Sequence, residues 1–201
     1  MSNYNVDSIK ILSDIEHVRL RPGMYIGECN HPGHLFSEIY DNALDELQNG
    51  YGNLIKVNVD YDSNIYRVSD NGRGIPIGEK VLPDGSRKSA LVALLTMTNS
   101  GGKFDNEAFK LRAGLHGVGS TVVNALSEHM KVVSVRDNKN ETVICNKGQL
   151  ESDEVISNDS DNHGTYVEFK PDSTIFSSSV IPKTFIINRC KIASALGIRL
   201  V

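Results

Sequence analysis

The stretch AGLHGVGSTVVNAL, Ala113 to Leu126, decides how the rest of the chain is read. Gly114, Gly117 and Gly119 run directly into a segment of helical pattern, the layout of a loop whose backbone N–H groups cradle phosphate. The spacing is G-x-x-G-x-G, the reverse of the dinucleotide fingerprint, and no Lys-Ser/Thr follows as it would in a P-loop. The class of site must therefore be read from what surrounds the loop.

Immediately upstream, SGGKFDNEAFK adds Gly101, Gly102, Lys103 and Lys110. A glycine-rich, basic segment ending on a helix suits a lid over phosphates; a plain connecting loop is the alternative. Farther upstream lies VSDNGRGIP, Val68 to Pro76. An Asn-Gly followed by a second glycine is usually only a turn. Here it follows a strand and carries Asp70 and Arg73. Asp70 can accept a hydrogen bond from an exocyclic amine, and Gly72 and Gly74 let backbone approach a flat ring.

The third piece is HLFSEIYDNALDELQNG, a helix stopped by Gly50. Leu35, Phe36, Ile39, Tyr40, Ala43 and Leu47 form its apolar face. Opposite stand Glu38, Asn42 and Asp45, with Asp41 and Glu46 beside them. Such a face is ordinarily a solvated surface. Yet no Lys or Arg occurs from Leu35 to Gln48, and Asp41 and Asp45 form an unfavourable like-charge i, i+4 pair. Uncompensated carboxylates beside an amide suit a place where a cation sits or a proton is taken. Glu38 can act as a base and the Asn42 oxygen can ligate a hard ion such as Mg²⁺.

The remaining sequence supplies a frame. Asp7 is a candidate cap for a helix through DSIKILSDIEHVRL, with Ile9, Leu12, Ile15 and Val18 at helical spacing and Pro22 and Gly23 after it. Alternation in LIKVNVDYDSNIYRVSD predicts a β-hairpin. From Gly72 to Gly117 the chain reads as turn-rich, with one short helix at SALVALLTM. A second meander follows in KVVSVRD, ETVICNK and TYVEFKP. SDEVISNDSDNHG reads as a loop between its last two strands, KTFIINRCKIASAL as a helix and GIRLV as a strand. This order predicts an α+β sandwich, helices on one face of a largely antiparallel mixed sheet. No βαβ alternation is present, which excludes the dinucleotide-binding fold.

With 201 residues, 39% of them hydrophobic, the chain reads as one domain, residues 1–201. No apolar run suggests a membrane span or secretory signal, and three scattered cysteines read as thiols, so a cytoplasmic protein is expected. A net charge of -4 argues against this chain being the main grip on a nucleic acid.

The set E-x-x-x-N, D-x-G-x-G, G-x-x-G-x-G and a late Gly-Thr, in that order, resembles the GHKL ATPases of the Bergerat fold. RPGMYIG, DNGRGIP, GGKF and GLHGVGSTVVNALS narrow the resemblance to the ATPase domain of bacterial type IIA topoisomerase B subunits. What the resemblance implies is specific. Glu38 matches the general base that activates water against the γ-phosphate of ATP, and Asn42 the Mg²⁺ ligand. Asp70 matches the carboxylate receiving the adenine amine, helped by Gly74 and Thr165. Glu46 and Arg73 match an ion pair flooring the adenine pocket, lined by Ile75 and Pro76. Lys103 and the run Gly114, Leu115, His116, Gly117, Val118, Gly119 match the lid and triphosphate loop. Arg136 matches the pocket mouth where inhibitors lean, and Tyr4 an arm reaching a second copy of the same chain. Ala113 and Phe109 depart from the pattern, standing where a glycine and a tyrosine are usual. The resemblance further implies an A-type DNA-cleaving partner subunit, DNA as the substrate of the complete complex, and a longer chain carrying a transducer domain. The short connection ECNHPGHLFSE leans toward topoisomerase IV; DNA gyrase, or a nucleotide-binding module without turnover, is the alternative.

Overall fold

The computed structural model describes residues 5–98, 100, 117–157, 162–195 and 197–201. A seven-stranded sheet runs in the order β7-β6-β5-β8-β2-β1-β9. Its strands are β1 (Leu54–Asp60), β2 (Ile65–Asp70), β5 (Ser127–Arg136), β6 (Lys139–Asn146), β7 (Gln149–Ser157), β8 (Gly164–Pro171) and β9 (Arg199–Leu200). Every pairing is antiparallel except β1 with β9. A separate two-stranded ribbon, β3 (Glu79–Val81) with β4 (Arg87–Ser89), interrupts the stretch that reads as turns.

β8 joins the two hairpins into one sheet by pairing with both β2 and β5. Residues alternate across it. Ile55, Tyr66, Val68, Met130, Val132, Val167 and Phe169 are buried on the helix side. On the other side Arg67, Tyr166 and Glu168 form a polar cluster, with Arg67 Nε donating to Glu168 at 2.6 Å. This is the period-two signature of a sheet covered on one face.

The helices are α1 (Asp14–Leu20), α2 (Gly23–Ile26), α3 (Gly33–Gln48), α4 (Ala90–Thr96), α5 (Gly119–Ala125) and α6 (Lys183–Ala195). α3 buries Leu35, Phe36, Ile39, Tyr40, Ala43, Leu44 and Leu47 in the core. α5 is fixed against the end of α4 by buried side chains. Thr121 Oγ1 donates to the Leu94 and Met97 carbonyls at 2.9 Å, and Asn124 Nδ2 donates to the Leu95 carbonyl at 2.9 Å. These bonds satisfy carbonyls that a helix end leaves unpaired.

Two readings of local sequence are corrected. The first α-helix begins at Asp14 with Ser13 as its cap, and Asp7 lies instead in a short 3-10 turn, Val6–Ser8. Ser13 and Glu16 form a reciprocal capping box that satisfies the first free N–H groups there. Ile9 and Ile11 are 62% and 95% exposed, so the helical spacing upstream of Ser13 has no core to face. The segment read as a loop from Ser152 includes the last part of β7, which is exposed throughout. Its register with β6 is held by the backbone ladder, and Glu151, Asp153 and Glu154 are charges suited to a sheet edge. Among the described residues no helix is long and apolar enough to cross a membrane. All three cysteines are free thiols, and burial pushes that of Cys145 up to about 11.

Candidate functional site

A cleft of about 340 Å³ opens between α3, the start of α5 and the strands β2, β5 and β8. That lies within the ~300–1,000 Å³ of small-molecule sites. Asn42, Glu46, Asp70, Arg73, Gly74, Ile75, Pro76, Gly117, Gly119, Arg136 and Thr165 all line it. Residues more than a hundred positions apart thus meet around one space. Lys103, Gly114, Leu115, His116 and Tyr4 lie outside the described residues.

At the sheet end, Asp70 closes β2 opposite Thr165 of β8. Its carboxylate accepts from the Gly72 N–H at 2.8 Å. Burial raises its pKa to about 7, with neighbouring Glu46 adding to the rise and the Gly72 and Thr165 N–H groups opposing it. The chain can turn so tightly here because two glycines make room. A Cβ on Gly72 would stand 2.8 Å from the Asp70 carboxylate. One on Gly74, whose φ is +73°, would stand 2.5 Å from the Val135 carbonyl.

Glu46 and Arg73 form a forked ion pair, Nε to Oε2 at 3.1 Å and Nη2 to Oε1 at 2.9 Å. The Arg73 guanidinium lies over the Tyr51 ring, 3.5 Å from its centroid. His163 Nδ1 donates to the Gly72 carbonyl. Arg136 Nη1 donates to the Gly74 carbonyl at 3.1 Å.

At the helix end, Asn42 Nδ2 donates to Ser120 Oγ at 3.4 Å, tying α3 to α5. Glu38 sits one turn before Asn42. A Cβ on Gly119 would come within 2.1 Å of Glu38 Oε2, so the carboxylate occupies the space that this glycine leaves. On its other side Glu38 Oε1 is 3.2 Å from His34 Nε2. Val118 caps the start of α5 beside it.

The acidic face of α3 is less uniform than its sequence indicates. Asp45 is fully buried rather than facing the cleft. Asp41 pairs with Arg189 of α6, and Glu46 pairs with Arg73. The cations missing from α3 itself are supplied from distant parts of the chain. Glu38 and Asn42 remain as the pair directed at α5. His34, Tyr51, Ser120, Ser134 and His163 are site neighbours that sequence reading did not single out. Of these, His34 alone carried a local signal, standing four residues before Glu38 on one helix face.

Comparison with known proteins follows the same lines. The family of histidine kinase-, DNA gyrase B-, and HSP90-like ATPases matches residues 27–175. The chain is 48% identical over 179 residues to the B subunit of DNA topoisomerase 4 from Bartonella bacilliformis, covering 87% of this chain and 25% of the relative. It is 43% identical over 181 residues to the B subunit of DNA gyrase from Thermotoga maritima, covering 89% of this chain and 28% of the relative. The chain thus spans about a quarter of the length of these relatives. Among solved structures it resembles the 43K ATPase domain of Thermus thermophilus gyrase B in complex with an aminocoumarin. The TM-score is 0.76 at 35% identity, covering 94% of this chain and 48% of that one. The α+β Bergerat architecture is therefore shared, and the chain belongs to the GHKL ATPases, as an ATPase domain of the type IIA topoisomerase B-subunit kind.

Proposed function

We propose that the cleft binds ATP with the adenine against Asp70 and the triphosphate toward the Gly117–Gly119 turn, and that Glu38 is the base for hydrolysis. The observation that carries this reading is the placement of two unlike carboxylates about one cleft: Asp70 lines it, while Glu38, which is not among the lining residues, stands behind the lining residue Gly119. Asp70 is half-buried where a flat ring would enter, and Glu38 lies against the glycine that opens α5. The adenine amine donates to the Asp70 carboxylate, whereas guanine presents a carbonyl at the same edge and is repelled. Arg73 and Glu46 floor the base pocket, Ile75 and Pro76 line it, and Gly74 and Thr165 complete its polar edge. Glu38 takes the proton from the attacking water as that oxygen bonds to the γ-phosphorus and the bond to the β-phosphate oxygen breaks. ADP leaves, with inorganic phosphate as the second product.

Asn42 suits a divalent cation. Among the described residues no cluster of three or more His, Cys, Asp or Glu could hold a metal by itself. That fits Mg²⁺, which is commonly held by one or two protein ligands together with substrate phosphates. Bound there, Mg²⁺ would neutralise charge on the triphosphate. Lys103 and Gly114 to His116 are assigned to the same end by the sequence motif.

Residues 1–201 serve, in this reading, as the single nucleotide-operated gate domain of a cytoplasmic type IIA topoisomerase. A second copy docks through the arm bearing Tyr4, an A-type subunit cleaves DNA, and ATP closure drives strand passage. Arg136 stands at the mouth, where an inhibitor would contact it. Topoisomerase IV is favoured by the short connection between Gly27 and Glu38, with DNA gyrase the second reading. Titration calorimetry with non-hydrolysable ATP and GTP analogues tests the site: equal affinity for both would overturn the assignment of Asp70. Decatenation against supercoiling by the reconstituted complex separates the two enzymes.

A further inference from the structure

The rim of the cleft, Gly74 to Pro76, belongs to no strand, yet it is held to β5 at successive points. Even-numbered residues of β5 face the cleft, and Met130, Val132 and Arg136 line it. Ser134 belongs to the same row but is fully buried behind the lining. Its hydroxyl donates to the Ile75 carbonyl at 2.7 Å, next to the bond from Arg136 to the Gly74 carbonyl at 3.1 Å. Between these two bonds the Val135 carbonyl presses on Gly74, where a Cβ would stand only 2.5 Å away. Across the sheet Ser134 is in register with Thr165, which is in register with Asp70. One transverse row therefore carries the base-recognition carboxylate, the threonine beside it and the hydroxyl that anchors the opposite rim.

We propose that Ser134 is a positioning residue for the nucleotide base, holding the Ile75 carbonyl so that the Gly74–Pro76 rim keeps the spacing from Asp70 that an adenine ring fills. The inference rests on the reading of the cleft as an ATP site. A carbonyl deprived of a buried donor must turn to find another, and a rim without strand pairing has little else to resist the turn. Asp70 and Thr165 then meet the base edge without the rim, and discrimination between bases weakens. The step at the γ-phosphate, at the other end of the cleft, is untouched.

The test is Ser134→Ala, with affinities for the β,γ-imido analogues of ATP and GTP measured by calorimetry and turnover measured at saturating ATP. The expected result is an affinity for the ATP analogue lowered about 5- to 10-fold. The ATP-over-GTP preference falls with it, KM rises and kcat stays within about 2-fold. A purely structural serine would lower the melting temperature and leave that preference where it was. Ser134→Cys keeps the volume with only a weak donor, and decides the question by the same ratio should the alanine chain fail to fold. A preference unchanged from wild type in the folded variant overturns the role of Ser134. An absence of preference in the wild-type chain instead overturns the reading of the cleft, so the two failures are distinct.

Discussion

The carboxylate that lines the cleft and the one behind its helix end have different surroundings. Asp70 is half-buried at the end of β2, hydrogen-bonded by its own turn, with its pKa raised by burial to about 7. Glu38 keeps 29% of its side chain exposed, with His34 on one side and Gly119 on the other. A recognition group benefits from a dry setting, because an unmatched ligand then leaves it unpaired. A base that must take a proton from water needs access to that water. In the proposed function this difference divides selecting the nucleotide from cleaving it.

The largest effect should fall on cleavage alone. A general base acts in the transition state, so Glu38→Ala should lower ATP turnover by about 10²–10⁴ while leaving affinity for a non-hydrolysable analogue intact or slightly tighter. Asn42→Ala should weaken binding of the Mg²⁺-triphosphate as well. Turnover and affinity measured side by side for both variants check this. Near-normal turnover in Glu38→Ala, or a binding loss equal to that of Asn42→Ala, would break the division.

A subtler perturbation reaches the same carboxylate through its neighbour. In Gly119→Ala the new methyl must displace Glu38 Oε2, which is the end of a flexible side chain, so the fold should survive. Misplacing a catalytic group by about 1 Å can lower a rate by up to ~10². We expect turnover reduced about 10- to 100-fold with the melting temperature nearly unchanged. If the variant keeps full turnover, the contact between Glu38 and α5 is incidental.

At the dry end the effects are on affinity and pH. Asp70→Asn replaces an acceptor by a group that can present a donor, and should weaken ATP binding by about 1–3 kcal/mol. In the wild type, a ligand that donates to the carboxylate selects its ionised form. With a free-chain pKa of about 7, affinity should therefore rise from pH 6 to pH 8, with proton release visible as a buffer-dependent heat. Stability of the ligand-free chain runs the other way. A carboxyl whose folded pKa is raised contributes stability below its unfolded pKa, near ~4, and loses it as pH rises through 7. Asp70→Asn should thus be more stable than wild type at pH 8, by at most roughly 4 kcal/mol, with the gap closing toward pH 4. Affinity that is flat with pH would mean that the base does not meet Asp70.

The division between the ends was legible in sequence to the extent that it is written locally. Asp70 and the glycines after it lie within one turn, and Glu38 and Asn42 are one helical step apart. Both can be read without knowing the sheet. What depends on distant pairing was not legible. Nothing in KVVSVRD marks Ser134 as the donor to Ile75, since that bond exists only once β8 has brought β5 alongside β2. The partner of Asp41 is Arg189, 148 positions away, so the acidic face of α3 looked uncompensated when most of it was not. Polar β7 lacks the apolar alternation by which a strand is recognised, because an edge strand exposed throughout has no face to bury.

Glu141 sharpens the comparison, because it is a sealed carboxylate away from the cleft. It lies on β6, fully buried, and neither of its oxygens has a well-formed hydrogen bond, although Ser89 and Asp153 stand beside it. Burial is the main cause of its raised pKa; the Ser89 hydroxyl works against the rise and the Asp153 carboxylate adds to it. If partial burial serves recognition at Asp70, full burial without a ligand at Glu141 should be a net burden. The sign follows from the raised pKa: stability tied to Glu141 is present below the unfolded value near ~4.3 and is lost as pH rises through the folded one. Glu141→Met, similar in size and without charge, should stabilise the chain at pH 8 by about 1 kcal/mol, the low end for a buried polar group left unmatched. The gain should shrink as pH is lowered to 5, the direction in which the carboxyl regains its proton. Unlike Asp70→Asn, it should leave ATP affinity and its pH profile as they were. Melting curves at the two pH values, beside one nucleotide titration, are sufficient. A destabilised Glu141→Met chain at pH 8, or a changed affinity, would show that Glu141 is matched by a partner on which the fold or the cleft depends.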